Sequence, residues 1–137
     1  MRGGDMAPHA RTRTPWGCEL AVIYAPHMPV IRQQDLPFSR IASELVGEKH
    51  DGLGVCILFV DAPPGRGPSL HKHPYEEVFI VQEGRATFEL DGEKLEASAG
   101  DIVIAPPGTP HAFVNSGDGP LRQIDIHVSP RFDTEWL

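Results

Sequence analysis

The 137-residue sequence predicts an all-β fold, one barrel or sandwich built from many short strands. Three observations carry that prediction. Glycine and proline number 14 each, which interrupts helices too often for a bundle or coiled coil. Hydrophobic residues make up 40% of the chain, too many for a disordered protein. Short apolar segments recur at regular spacing, each bounded by Gly, Pro, Asn or Asp. The length suits a single domain, large enough to bury a core without disulfide staples.

Residues 1–17 are rich in Arg, Thr, Pro and Gly without periodicity and read as a flexible arm, with Met6 as an alternative start to Met1. Residues 18–137 read as one domain. Within it CELAVIYA, from Cys18, reads as a strand closed by Pro26 and Pro29, and Pro37 breaks the following segment VIRQQDLPF. In SRIASELVG, Phe38, Ile41 and Leu45 fit a short helix while the end of the segment fits a strand, and the strand reading is adopted. GVCILFVDAP is a continuous apolar run, as expected of a buried strand. HKHPYEEVFIVQEG, RATFEL, KLEASAG, DIVIAP, HAFVN and LRQIDIHV complete the series. Asp91-Gly92 between two of these strands predicts a two-residue hairpin.

Charge narrows the partners. Twelve basic against 19 acidic residues give a formal charge of −7, which speaks against nucleic acid, whose phosphates need clustered Lys and Arg. No stretch approaches the ~18 consecutive apolar residues of a spanning helix, and the N-terminus lacks the apolar run of a signal peptide. Cys18 and Cys56 lie in apolar surroundings and imply no disulfide framework. A cytoplasmic protein without membrane association is the expectation.

The residues that carry chemistry are His71, His73 and Glu77, separated by two and four positions. On one strand all three would point the same way, together with Tyr75, Phe79 and Val81, and two imidazoles with a carboxylate form a plausible metal grip. His111, after the proline-rich turn PPGTP, is a fourth candidate. The competing reading is a surface polar pair, since Glu76 shows how readily a carboxylate occurs in an acidic chain.

The wider pattern resembles a known family. Residues 65–84 read Gly65, five residues, His71, one, His73, three, Glu77, six, Gly84; residues 100–115 read Gly100, five residues, Pro106, one, Gly108, two, His111, three, Asn115. This is similar to the two consecutive motifs of the cupin superfamily, and the 15 residues between them resemble the spacing of small single-domain cupins. The resemblance implies a jelly-roll β-barrel (a double-stranded β-helix) that holds one divalent metal ion on His71, His73, Glu77 and His111. Such a donor set suits Fe, Mn, Ni, Co, Cu or Zn better than Ca or Mg. Gly65, Gly84, Gly100 and Gly108 then fall at turns that use positive φ, and Asn115 closes the turn after its strand.

Around that site, Tyr75, Phe79, Phe88, Ile104 and Phe113 are candidate barrel lining, with ordinary core packing preferred for Phe88 and Ile104. His127 and Tyr75 are the catalytic candidates. If Gln123, Asp125 and His127 face inward, the cavity gains groups suited to acid–base work; if Ile124, Ile126 and Val128 do, His127 is exposed. Arg66 and Lys72 are possible attractors of an acidic ligand, with solvation preferred. Val78 and Ile80, on the opposite strand face, predict a covered outer surface, and the resemblance favours a homodimer through one sheet. The arm or the C-terminal RFDTEWL is a further source of cover. The implied function is a metal-dependent enzyme (oxygenase, isomerase, lyase or cyclase) acting on a small chelating, oxygen-rich molecule in the barrel. A non-catalytic metal-containing binding or sensor protein is the alternative.

Overall fold

Among the described residues, eleven antiparallel strands build two sheets that face each other across an apolar core. The computed structural model describes residues 29–137, of which Ile31–Leu137 form one compact unit. The expected arm and the strand from Cys18 lie outside the described residues. In chain order the strands are β1 (Phe38–Ser39), β2 (Ala42–Leu45), β3 (Cys56–Ala62), β4 (His71–Lys72), β5 (Glu77–Glu83), β6 (Arg85–Leu90), β7 (Glu93–Ser98), β8 (Ile102–Ala105), β9 (His111–Asn115), β10 (Leu121–His127) and β11 (Glu135–Trp136). One sheet runs β1-β2-β3-β10-β5-β8 and the other β11-β4-β9-β6-β7. Helical structure among the described residues is confined to two 3-10 turns, Gln33–Asp35 and Gly47–Lys49. None of it is long and apolar enough to cross a membrane.

The period-two sequence pattern decides what is buried. On β10, Leu121, Gln123, Asp125 and His127 face inward, while Arg122, Ile124 and Ile126 alternate outward. Phe79, Phe88 and Phe113 meet edge-on or tilted at the centre, with ring centroids 5.1–6.0 Å apart. Ile104 is a correction: it points away from the core and is 58% exposed, because β8 uses Val103 and Ala105 for its inner face. The run GVCILFVDAP also splits by face, with Cys56, Val60 and Ala62 buried and Asp61 exposed.

Turns follow the residues placed at them. Asp91 (φ 48°) and Gly92 (φ 81°) both occupy the left-handed region in the β6–β7 hairpin, as a two-residue primed turn requires. The four motif glycines all have positive φ. Asn115 accepts from the Gly117 N–H at 2.9 Å and donates to the carbonyls of Ala62 (2.9 Å) and Gly119 (2.8 Å), tying the end of β9 to β3. Gly67 has a steric role instead: a Cβ there would collide with the Phe113 carbonyl. Since backbone cannot yield as a side chain can, Gly67→Ala is expected to cost about 1–3 kcal/mol and lower Tm by several degrees. Gly54→Ala, with open space around it, is the control in the same thermal unfolding experiment.

Candidate metal centre

His71, His73 and Glu77 do not share one strand. His71 lies on β4 in the smaller sheet, and the chain turns through His73–Glu76 before Glu77 opens β5 in the larger one. Convergence comes from the crossover between sheets rather than from strand alternation. His111 arrives from β9, directly opposite His71 in the register. The four side chains are buried, and one donor atom from each lies within 4.8 Å of the others.

Three of the imidazoles are held in one tautomer. His71 Nδ1–H donates to the Ser69 carbonyl (2.7 Å), His73 Nδ1–H to that of Asp133 (2.8 Å) and His111 Nδ1–H to that of Thr109 (2.8 Å). A carbonyl can only accept, so each neutral ring presents its Nε2 lone pair to the interior, the usual arrangement behind metal-ligating histidines. Glu77 receives them: its Oε2 lies 2.8 Å from His111 Nε2 and 3.1 Å from His73 Nε2. His73 Nε2 is buried yet not aligned with any hydrogen-bond acceptor. A buried nitrogen lone pair aimed at a carboxylate is unfavourable unless a cation or proton sits between them. The residues therefore fit a transition-metal ion.

His127 faces inward, settling the open question about β10, and its Nε2 lies 3.0 Å from Glu77 Oε1. Its other nitrogen differs in kind from the three above. Nδ1 is 3.2 Å from the Tyr75 hydroxyl, which already accepts the Asp133 N–H at 3.0 Å. That phenol is free to donate its own proton to Nδ1, leaving neutral His127 with an N–H rather than a lone pair facing the cavity. Tyr75 sits in the turn before β5 and reaches the site through His127.

Electrostatics follow from this packing. Burial alone would raise the Glu77 carboxyl, but contacts from His111, His127 and His73 outweigh it and hold the group well below the usual carboxylate range. Burial opposes a charge on His111, yet its bond to Glu77 prevails and raises the imidazole above its ordinary value. His71 is pushed down, chiefly by burial. Asp125 is pushed well up by burial and then by the charge of Glu77.

A cavity of about 550 Å³ opens beside the cluster, with His71, His73, Glu77, Asp125 and His127 in its wall. Phe113 lines it, and so does Arg66; Lys72 instead pairs with Glu135 at 3.6 Å. The C-terminal segment, one of two sources of cover that the sequence offers for the outer face, instead supplies part of this cavity wall. β11 pairs with β4, the Trp136 ring lies 5.0 Å from that of His71, and Phe132 packs edge-on to His127 at 4.9 Å. Trp136 itself stays 58% exposed. Aromatic residues in a tail signal docking, but nothing in their spacing says onto which face.

These features meet their counterpart in known proteins. The family model described as a cupin domain matches residues 58–127, which contain every residue of the cluster. The chain is a cupin. It is 44% identical over 91 residues to an uncharacterized protein of Methanocaldococcus jannaschii, covering 64% of this cupin and 73% of that protein. It is 34% identical over 77 residues to gentisate 1,2 dioxygenase 1 of Aquipseudomonas alcaligenes, covering 53% of this cupin but 22% of the dioxygenase. Among solved structures, one from Thermotoga maritima described as a predicted oxalate decarboxylase superposes with a TM-score of 0.66 at 22% identity, covering 74% of this cupin and 99% of that chain. At that identity the match establishes the jelly-roll fold.

Proposed function

We propose that this cupin is a metal-dependent enzyme. In this reading His71, His73, Glu77 and His111 hold one divalent transition-metal ion, and a small oxygen-rich molecule reacts in the adjoining cavity. The observation that carries the reading is the contrast among four imidazoles: three held by backbone carbonyls, which fixes them as lone-pair donors, and one held by a phenol instead. A bound ion would supply Lewis acidity to two neighbouring substrate oxygens. His127 holds a proton at Nε2, 3.0 Å from Glu77, where it can be given to or taken from a bound molecule. Tyr75 orients that ring, and the Asp133 N–H fixes Tyr75 in turn. Phe132 and Trp136 shield one wall from water. The dioxygenase relative and the Tyr75–His127 pair beside the cluster support catalysis.

Elemental analysis of the purified protein, followed by a substrate screen with the identified metal, tests this reading. Once a substrate is found, His127→Ala is expected to lower kcat by about 10²–10⁴, the usual worth of general acid–base catalysis, at unchanged metal content. Unaltered kcat would remove His127 from the chemistry.

The outer face of the larger sheet supports a second part of the proposal, a homodimer. Ile57, Ile126, Val78 and Ile104 form one cross-strand row, and Phe59, Ile124, Ile80 and Ile102 form the next. Ile102 and Ile104 are 62% and 58% exposed, and Arg122, Asp61 and Glu83 add charges of both signs along one margin. Such an apolar centre with a mixed-charge rim suits a second copy of the same face. Light scattering should give twice the chain mass, and Ile80→Glu together with Ile104→Glu should give one chain mass.

A further inference from the structure

We propose that Asp125 reads a hydroxyl group on the molecule taken by the metal centre, one carried beyond the oxygens that chelate. The proposal rests on the reading of the cavity as a chelate site and adds the second point of recognition. Its basis is a row of inward polar side chains on β10 that the protein itself leaves unsatisfied. Asp125 is 1% exposed, and its register partners are Leu58 on β3 and Phe79 on β5, neither able to hydrogen-bond through its side chain. Gln123, the next residue of the row, stands between Val60 and Val81. Asp125 Oδ1 and both amide atoms of Gln123 lack an aligned hydrogen-bond partner; the Gln123 amide lies near enough to favour the Asp125 charge, but burial outweighs it. An unmet buried polar group costs about 1–3 kcal/mol, so an apolar residue would serve this barrel better if packing were the only demand.

The open side of Asp125 is the cavity, whose wall it shares with His71, His73, Glu77 and His127. Glu77 stands opposite His127 and Asp125 opposite Phe79, so the two carboxyl groups are two residues apart, about 7 Å along the sheet. A ligand oxygen at the metal centre and a second polar group near Asp125 therefore belong to one small molecule. The partner chemistry follows from the residue. A second carboxylate placed at Asp125, beyond the chelating one, would lie between Asp125 and Glu77 and be repelled. A hydroxyl both donates and accepts, so it satisfies Asp125 in either protonation state. The ligand class is a hydroxylated chelator, such as a polyhydroxy acid or a dihydroxy-aromatic acid.

The test uses cobalt-loaded protein, whose visible absorption reports chelation directly, and matched probes that differ by one hydroxyl. Lactate is compared with glycerate, and salicylate with 2,3-, 2,4- and 2,5-dihydroxybenzoate. At least one hydroxylated probe should bind wild type about tenfold more tightly than its parent, the upper end of what one hydrogen bond contributes. In Asp125→Leu, chosen because its neighbours are already apolar, that preference should fall to within about twofold of unity. A preference that persists in Asp125→Leu, or that no hydroxylated probe shows in wild type, overturns the role of Asp125 while leaving the chelate site intact. Failure of lactate and salicylate alike to perturb the cobalt bands of wild type overturns the chelate reading itself, and the subsite with it.

Discussion

His73→Ala is expected to retain less than a tenth of the transition metal that the wild-type protein carries through the same preparation. The magnitude follows from ligand loss. Disturbing groups that merely support metal ligands typically costs 10–100-fold in affinity, and removing a ligand outright costs at least that. His73 is the sharpest choice because its Nδ1 is already committed to the Asp133 carbonyl, which leaves the lone pair of its buried Nε2 facing Glu77. Substitution also removes the buried nitrogen facing Glu77, so the core gains as well as loses, and the fold should survive. His127→Ala separates the two kinds of imidazole. It removes a ring that lies just as near Glu77, at 3.0 Å, but that is held by a phenol rather than a carbonyl. Its metal content should match wild type. Equal content in wild type and His73→Ala would mean the proposed coordination is wrong, and loss in His127→Ala would make His127 a ligand.

Much of this was legible because the information was local. Turn glycines, the Asp91-Gly92 hairpin and the Asn115 cap are set by residues within a few positions of one another. The four residues of the cluster are legible in their spacing within a family pattern, whereas the shared strand face that alternation predicts for three of them does not exist. Glu77 and His71 belong to different sheets, and only the crossover at His73–Glu76 brings them together. The direction of His127 could not be read from LRQIDIHV, because both faces of β10 carry a consistent set, polar inside or aliphatic inside. Burial normally favours the aliphatic set. Here the polar set faces the cavity, and Ile124 and Ile126 join Val78 and Ile80 on the outside. Local patterning was overridden where the barrel makes a site. Ile104 was misplaced for the same reason, since β8 presents its larger residues outward. The docking of Phe132 and Trp136 is a contact of a tail with a distant strand, which no periodicity encodes.

The stabilisation that metal gives the protein is expected to grow with pH. In the metal-free protein His111 has acceptors on both ring nitrogens, the Thr109 carbonyl and Glu77 Oε2, so its protonated form is fully satisfied. That is why its proton is held more tightly than in water. A group with a raised folded value contributes stability below its unfolded value, and that contribution is lost as pH rises through the raised one. Glu77, held low, works in the opposite sense: its contribution is present above the ordinary carboxylate range and is lost only as pH falls through its depressed value. Between those limits the metal-free protein is stabilised by the Glu77–His111 pair, and an incoming ion must displace the proton that joins them. His71, whose imidazole burial pushes down, holds a competing proton less tightly than His111 does. The gap in Tm between metal-loaded and metal-free protein should therefore be small on the acid side of the raised His111 value and widen above it, with a proton released on metal uptake. His111→Ala should flatten the pH dependence of the remaining gap. Thermal unfolding of both forms across pH 5 to 8, the range over which histidines usually titrate, makes the comparison. A gap that stays constant across that range would show that metal and proton do not compete at His111.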